Sequence, residues 1–103
     1  MQPMSYEGDL LEAEMIVIPN DNGTYIVDVR FTEKNTVLKS GVKADFYLFS
    51  VEDAKMLSTQ TTYTFTEREN KFQGTQILPR GKYILIMQIE EYKILKNCVF
   101  LMQ

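Results

Sequence analysis

At 103 residues the chain holds one domain's worth of sequence, and a composition of 45% hydrophobic and 24% charged residues lets it bury a core and excludes a chain that is disordered throughout. Its formal net charge of −3, with Lys and Arg scattered rather than gathered in a stripe, leaves little for a nucleic-acid backbone to bind. Histidine is absent, which removes the commonest general base, the usual metal ligand and the usual activator of Ser or Cys.

In chain order, residues 1–10 are polar, contain Pro3 and Gly8, and read as a flexible N-terminal arm before a domain over 11–103. No basic and apolar leader is visible there, which leaves the compartment open, and no apolar run approaches the ~20 residues of a membrane span, so no membrane partner is expected. Leu11 to Ile18 forms a first strand that ends at the turn signal Pro19-Asn20-Asp21-Asn22-Gly23, where Asn22-Gly23 suits positive φ. Tyr25, Val27, Val29 and Phe31 then alternate with Ile26, Asp28, Arg30 and Thr32, the pattern of a half-buried antiparallel strand.

After turns at 33–36 and 39–41, Val42 to Val51 is a strand apolar on both faces. Either Phe46 and Leu48 or Tyr47 and Phe49 must point outward. Glu52-Asp53-Ala54-Lys55 reads as a hairpin turn, with Ser50 and Asp53 spaced for a capping contact. Ser58 to Thr66 is β-prone, Glu67 to Asn70 turns, and Lys71 to Ile77 leads back to a corner. Lys82 to Ile89 is the strongest strand, Glu90-Glu91 belong to the last turn, and Lys93 to Met102 closes the chain. No window keeps a helical period, and short strands at roughly 8–12-residue spacing indicate an all-β sandwich of about seven or eight strands.

Enzymatic chemistry is not expected. The single thiol, Cys98, has no His beside it and reads as a small core hydrophobe; with one cysteine no internal disulfide forms. The acidic pairs Glu12/Glu14, Glu52-Asp53, Glu67/Glu69 and Glu90-Glu91 sit in turns or at strand ends without a calcium-loop pattern. Met15, Met56, Met87 and Met102 are spread over different strands and read as core filling rather than a copper site. No metal and no cofactor are therefore expected.

The segment Ile77-Leu78-Pro79-Arg80-Gly81-Lys82-Tyr83 has a physical logic. Pro79 fixes φ at the start of a turn, Gly81 takes a conformation closed to other residues, and Tyr83 buries its ring and returns its hydroxyl to nearby backbone. This Leu-Pro-x-Gly-x-Tyr corner, with Asn70 to Ile77 before it, resembles the end of bacterial prealbumin-like sandwiches of the carboxypeptidase-regulatory-like and collagen-adhesin kinds. It is also similar to the corner of fibronectin type III domains. The resemblance covers about a fifth of the chain and implies an immunoglobulin-like antiparallel β-sandwich with a binding or spacer role. Two departures stand out: Leu11 to Ile18 has no lysine for the crosslink of the collagen-adhesin type, and the chain has no Trp for the fibronectin core.

In that topology the strands of Tyr47, Tyr83 and Val99 share one sheet. With Tyr83, Leu85, Met87 and Ile89 inward, period-two alternation sends Ile84 and Ile86 outward. The other sheet, expected from Tyr25–Thr32 and Tyr63–Thr66, then has a polar exterior of Asp28, Arg30, Thr62, Thr64 and Thr66. An apolar exterior on one sheet marks an interface, assigned to Ile84, Ile86, Tyr47 and Phe49, with a protein partner or a second copy in a homo-oligomer. The rival occupants of that face are the N-terminal arm and the segment 52–60. The expected role is a non-enzymatic interaction or structural module, of a viral structural or bacterial surface type. The alternative is a carbohydrate- or small-ligand-binding domain using exposed loop aromatics such as Tyr92 and Phe72.

Overall fold

The computed structural model describes residues 11–66 and 69–103, the side chains of 58–60 and 69 excepted. The expected arm over 1–10 lies outside the described residues. Among the described residues seven strands form: β1 (Leu11–Pro19), β2 (Tyr25–Glu33), β3 (Val42–Ser50), β4 (Lys55–Phe65), β5 (Glu69–Gln73), β6 (Gly81–Ile89) and β7 (Ile94–Met102). They make two antiparallel sheets packed face to face, the first ordered β1-β2-β5 and the second β4-β3-β6-β7. The all-β sandwich read from the sequence is the fold observed.

Alternation builds the core. β1 turns Leu11, Ala13, Met15 and Val17 inward, and β2 turns Tyr25, Val27, Val29 and Phe31. From the second sheet come Val42, Ala44, Phe46 and Leu48 on β3 and Tyr83, Leu85, Met87 and Ile89 on β6. Burying each large apolar side chain contributes about 1.5–3 kcal/mol, so the choice between the two faces of β3 is decided by Phe46 and Leu48 filling the interior. Aromatic contacts join the sheets: Tyr25 lies 5.5 Å from Phe100, and Phe31 meets Phe65 edge-on at 5.1 Å.

Turn chemistry fixes the links. Pro19 ends β1, Gly23 takes φ +84°, and the Asn20 amide donates to Thr24 O at 2.8 Å to close the β1–β2 hairpin. The β3–β4 hairpin is held by Ser50, whose Oγ accepts from the Asp53 amide at 3.2 Å and donates to Asp53 Oδ2 at 3.3 Å. The pairing of Ser50 with Asp53 thus serves a hairpin turn. Between β6 and β7, Glu90–Tyr92 makes one 3-10 turn, and Lys93 then takes a left-handed conformation, so the last strand begins at Ile94.

Two expectations are corrected. Tyr63–Thr66 does not join the strand of Tyr25: β4 pairs with β3, through contacts such as Ala44 with Tyr63 and Asp45 with Thr62. Its alternation suited either sheet, and hairpin closure after Ser50 kept it beside β3. Glu69 and Asn70 are not turn residues but the start of β5, because they pair with Arg30 and Val29 of β2.

Candidate interaction face

The register of the second sheet lines up side chains from all its strands. Met56 of β4 pairs with Phe49 of β3, Phe49 with Ile84 of β6, and Ile84 with Val99 of β7. These four side chains form one outward apolar row straight across the sheet. Beside it Tyr47 pairs with Ile86, and Ile86 with Asn97. The four residues assigned to an interface from sequence, Ile84, Ile86, Tyr47 and Phe49, are thus brought together on the outer surface of β3 and β6, each half-buried by its neighbours.

The row's ends are wetter: Met56 is 47% exposed and Val99 53%. Leu101, also half-exposed, extends the patch along β7. Polar residues bound it. Asp45, whose Oδ1 accepts from Thr62 Oγ1 at 3.0 Å, and Gln88 lie at one end of the strands, and Lys82 at the other. Met56 corrects its reading as core filling. Two register shifts in the β3–β4 pairing, between Phe46 and Leu48 and between Leu48 and Phe49, carry Met56 onto the outer surface. The same pairing disposes of one rival occupant: residues 55–60 extend the sheet as part of β4 and do not lie over it.

The corner that anchors this sheet forms as its residues require. The Tyr83 hydroxyl donates to the Pro79 carbonyl at 2.7 Å, and its ring is buried against Phe100. Gly81 adopts φ +152°, and a Cβ there would stand 2.8 Å from Glu52 Oε1. Burial raises the Tyr83 pKa above its ordinary value, helped by the carboxylates of Asp53 and then Glu52. Burial alone raises that of Tyr25.

The aromatics expected to be exposed for a sugar or small ligand are not. Tyr92 is buried, with its hydroxyl donating to Val37 O at 3.4 Å and accepting from the Lys39 amide at 3.3 Å, so it ties the β2–β3 crossing to the β6–β7 turn. Phe72 lies between the sheets, stacked on Tyr63 at 4.1 Å and edge-on to Phe46 at 5.1 Å. Both corrections have one cause: aromatic area gains more from the interior than a loop surface returns. The void beside Phe72, lined also by Tyr25, Phe46 and Gln76, measures about 20 Å³, room for a water and not for a sugar ring. Cys98 faces the interior from β7 but stays half-buried, because its strand is an edge of the sheet. Among the described residues no three of His, Cys, Asp and Glu gather to hold a metal.

Comparison with known protein families found no match, and comparison with curated proteins found none either. Solved structures do match. Over 99% of its length the chain is similar to the solution NMR structure of a conjugate transposon protein from Bacteroides vulgatus, covering 87% of that chain at 11% identity and a TM-score of 0.50. Over 90% of its length it is similar to the crystal structure of a conjugative transposon lipoprotein from Bacteroides eggerthii, covering 96% of that chain at 9% identity and a TM-score of 0.50. At these identities the likeness is one of fold.

Proposed function

We propose that this chain is a non-enzymatic interaction or structural module of the immunoglobulin-like kind, which binds protein through the outer face of the β4-β3-β6-β7 sheet. The observation that carries the proposal is the unbroken row Met56–Phe49–Ile84–Val99, with Tyr47 and Ile86 beside it. Large apolar side chains gathered on an outer sheet face gain nothing from water and gain about 25 cal/mol per Å² when a partner covers them. The sheet orders and the Tyr83 corner support the immunoglobulin-like assignment. Likeness of fold to two proteins of bacterial conjugative transposons supports a bacterial setting, with a role as a part of such an element's machinery.

The test is the double variant Ile84→Lys with Ile86→Lys, set against Leu85→Lys on the same strand. The double variant keeps its near-ultraviolet circular dichroism and its thermal midpoint within a few degrees, while Leu85→Lys unfolds the domain because a lone charge enters the core. If the double variant unfolds as well, those two side chains are covered by the chain's own residues and the proposal fails.

A further inference from the structure

We infer that the occupant of this face is a second copy of the chain, packed sheet against sheet about a two-fold axis that runs along the strands between β3 and β6. The inference rests on the outer face of the second sheet being a protein-binding surface, and it names the partner and the geometry.

Size comes first. Three of the four strands run nine residues. At ~3.3 Å per residue and ~4.8 Å between strands, the face measures roughly 30 by 19 Å. Two such faces bury on the order of 1,100 Å², which clears the roughly 1,000 Å² that a specific interface needs.

The pattern of side chains then selects the axis. Along the strands the face is uneven, apolar right across around Phe49 and Ile84, and polar around Asp45, Thr62 and Gln88 up to Leu95 at the β7 edge. A two-fold axis lying across the middle of the strands would set the apolar end of one copy on the polar end of the other. An axis along the strands keeps every row facing its own counterpart in reverse order. Phe49 then meets Ile84 of the second copy, Tyr47 meets Ile86, and Met56 meets Val99. The same operation keeps like charges apart. Asp45 faces Gln88 of the second copy rather than another Asp45, and Lys82 faces the Val51 end of β3 rather than another Lys82, so no like charges are forced together.

The experiment uses the full chain. Light scattering with size-exclusion chromatography across a concentration series gives the mass, for the native sequence and for the Ile84→Lys, Ile86→Lys variant. In a Cys98→Ser background, Met56→Cys and Val99→Cys chains are then mixed in equal amounts and treated with a short bis-maleimide. With facing sheets ~10 Å apart, Met56 and Val99 of opposite copies stand within reach, whereas two Met56 positions are offset by three strand spacings and lie roughly 17 Å apart. The expected result is a dimer whose dissociation constant rises at least about tenfold in the lysine variant. Mixed Met56–Val99 crosslinks should outnumber both kinds of like crosslink.

A dimer of unchanged affinity in the lysine variant overturns the inference and also removes self-association as support for the face. A native chain that stays monomeric at high concentration, while the lysine variant stays folded, overturns the second copy as occupant and leaves the face for a foreign protein. Like crosslinks outnumbering mixed ones overturn the axis.

Discussion

The two sheets present opposite exteriors from the same alternation. On β1-β2-β5 charges dominate the outward side: Ile16 pairs with Asp28, Asp28 with Lys71 and Glu14 with Arg30, while Ile18 and Ile26 form one apolar pair beside Gln73. Arg30 also reaches Asp28 at 3.2 Å, which neutralises a carboxylate that is 7% exposed on the central strand. Cross-strand pairs of opposite charge contribute roughly 0.2–1 kcal/mol each and leave the surface content in water. On β4-β3-β6-β7 the corresponding positions hold Phe49, Ile84 and Val99 in line. The interiors of the two sheets are alike, so the difference teaches that the core half of a strand pattern sets the fold, and the solvent half records what the sheet meets.

Leu85→Ala against Ile84→Ala gives the largest contrast available on one strand. Leu85 is 3% exposed, so its truncation should cost about 2–5 kcal/mol in urea denaturation, and Ile84→Ala clearly less in the monomer. Equal losses would mean that both faces of β6 are interior and that the sheets do not differ as described.

Tyr83→Phe comes next. It removes the 2.7 Å bond to Pro79 O and should cost roughly 1 kcal/mol while keeping the fold. No loss of stability would mean that the hydroxyl gains nothing from the corner.

A pH series compares one inward tyrosine from each sheet. Tyr83, raised by burial and by the Asp53 and Glu52 carboxylates, and Tyr25, raised by burial, both hold their protons more tightly folded than unfolded. Their contribution is complete below about pH 10, where the unfolded tyrosines begin to ionise, and is lost as pH rises through the folded values. Chemical denaturation from pH 8 to 11 should therefore show stability falling above about pH 10, less steeply in Tyr25→Phe and in Tyr83→Phe. A flat profile would deny both shifts.

The smallest effect is expected on the charged sheet. Ile16→Lys and Ile18→Lys, each at a half-exposed position, should change stability by no more than about 0.5 kcal/mol apiece and leave the oligomeric state untouched. Dissociation caused by this pair would move the interface to the other sheet and reverse the comparison.

The sequence by itself determined what is local. Pro79, Gly81 and Tyr83 lie within five residues of one another, so their turn and the 2.7 Å return bond follow from φ preferences and short reach. Alternation on β2 likewise set which residues face in, and on β6 it did so once the corner had turned Tyr83 inward, because the side-chain period of a strand is fixed by covalent geometry. Where both faces were apolar, as on β3, periodicity offered two answers, and only packing against the first sheet chose Phe46 and Leu48.

Tertiary structure decided what depends on register and on distant partners. Tyr92 finds the Lys39 amide 53 residues away, a contact that no local pattern announces, and so it became core rather than an exposed ligand-binding ring. β4 could alternate in either sheet, and pairing with β3 settled its place. Two register shifts then set Met56 at the end of the row. A row of side chains drawn from four strands exists only once the hydrogen-bond ladders are in register, since a slip of one residue turns every side chain of a strand to the opposite face.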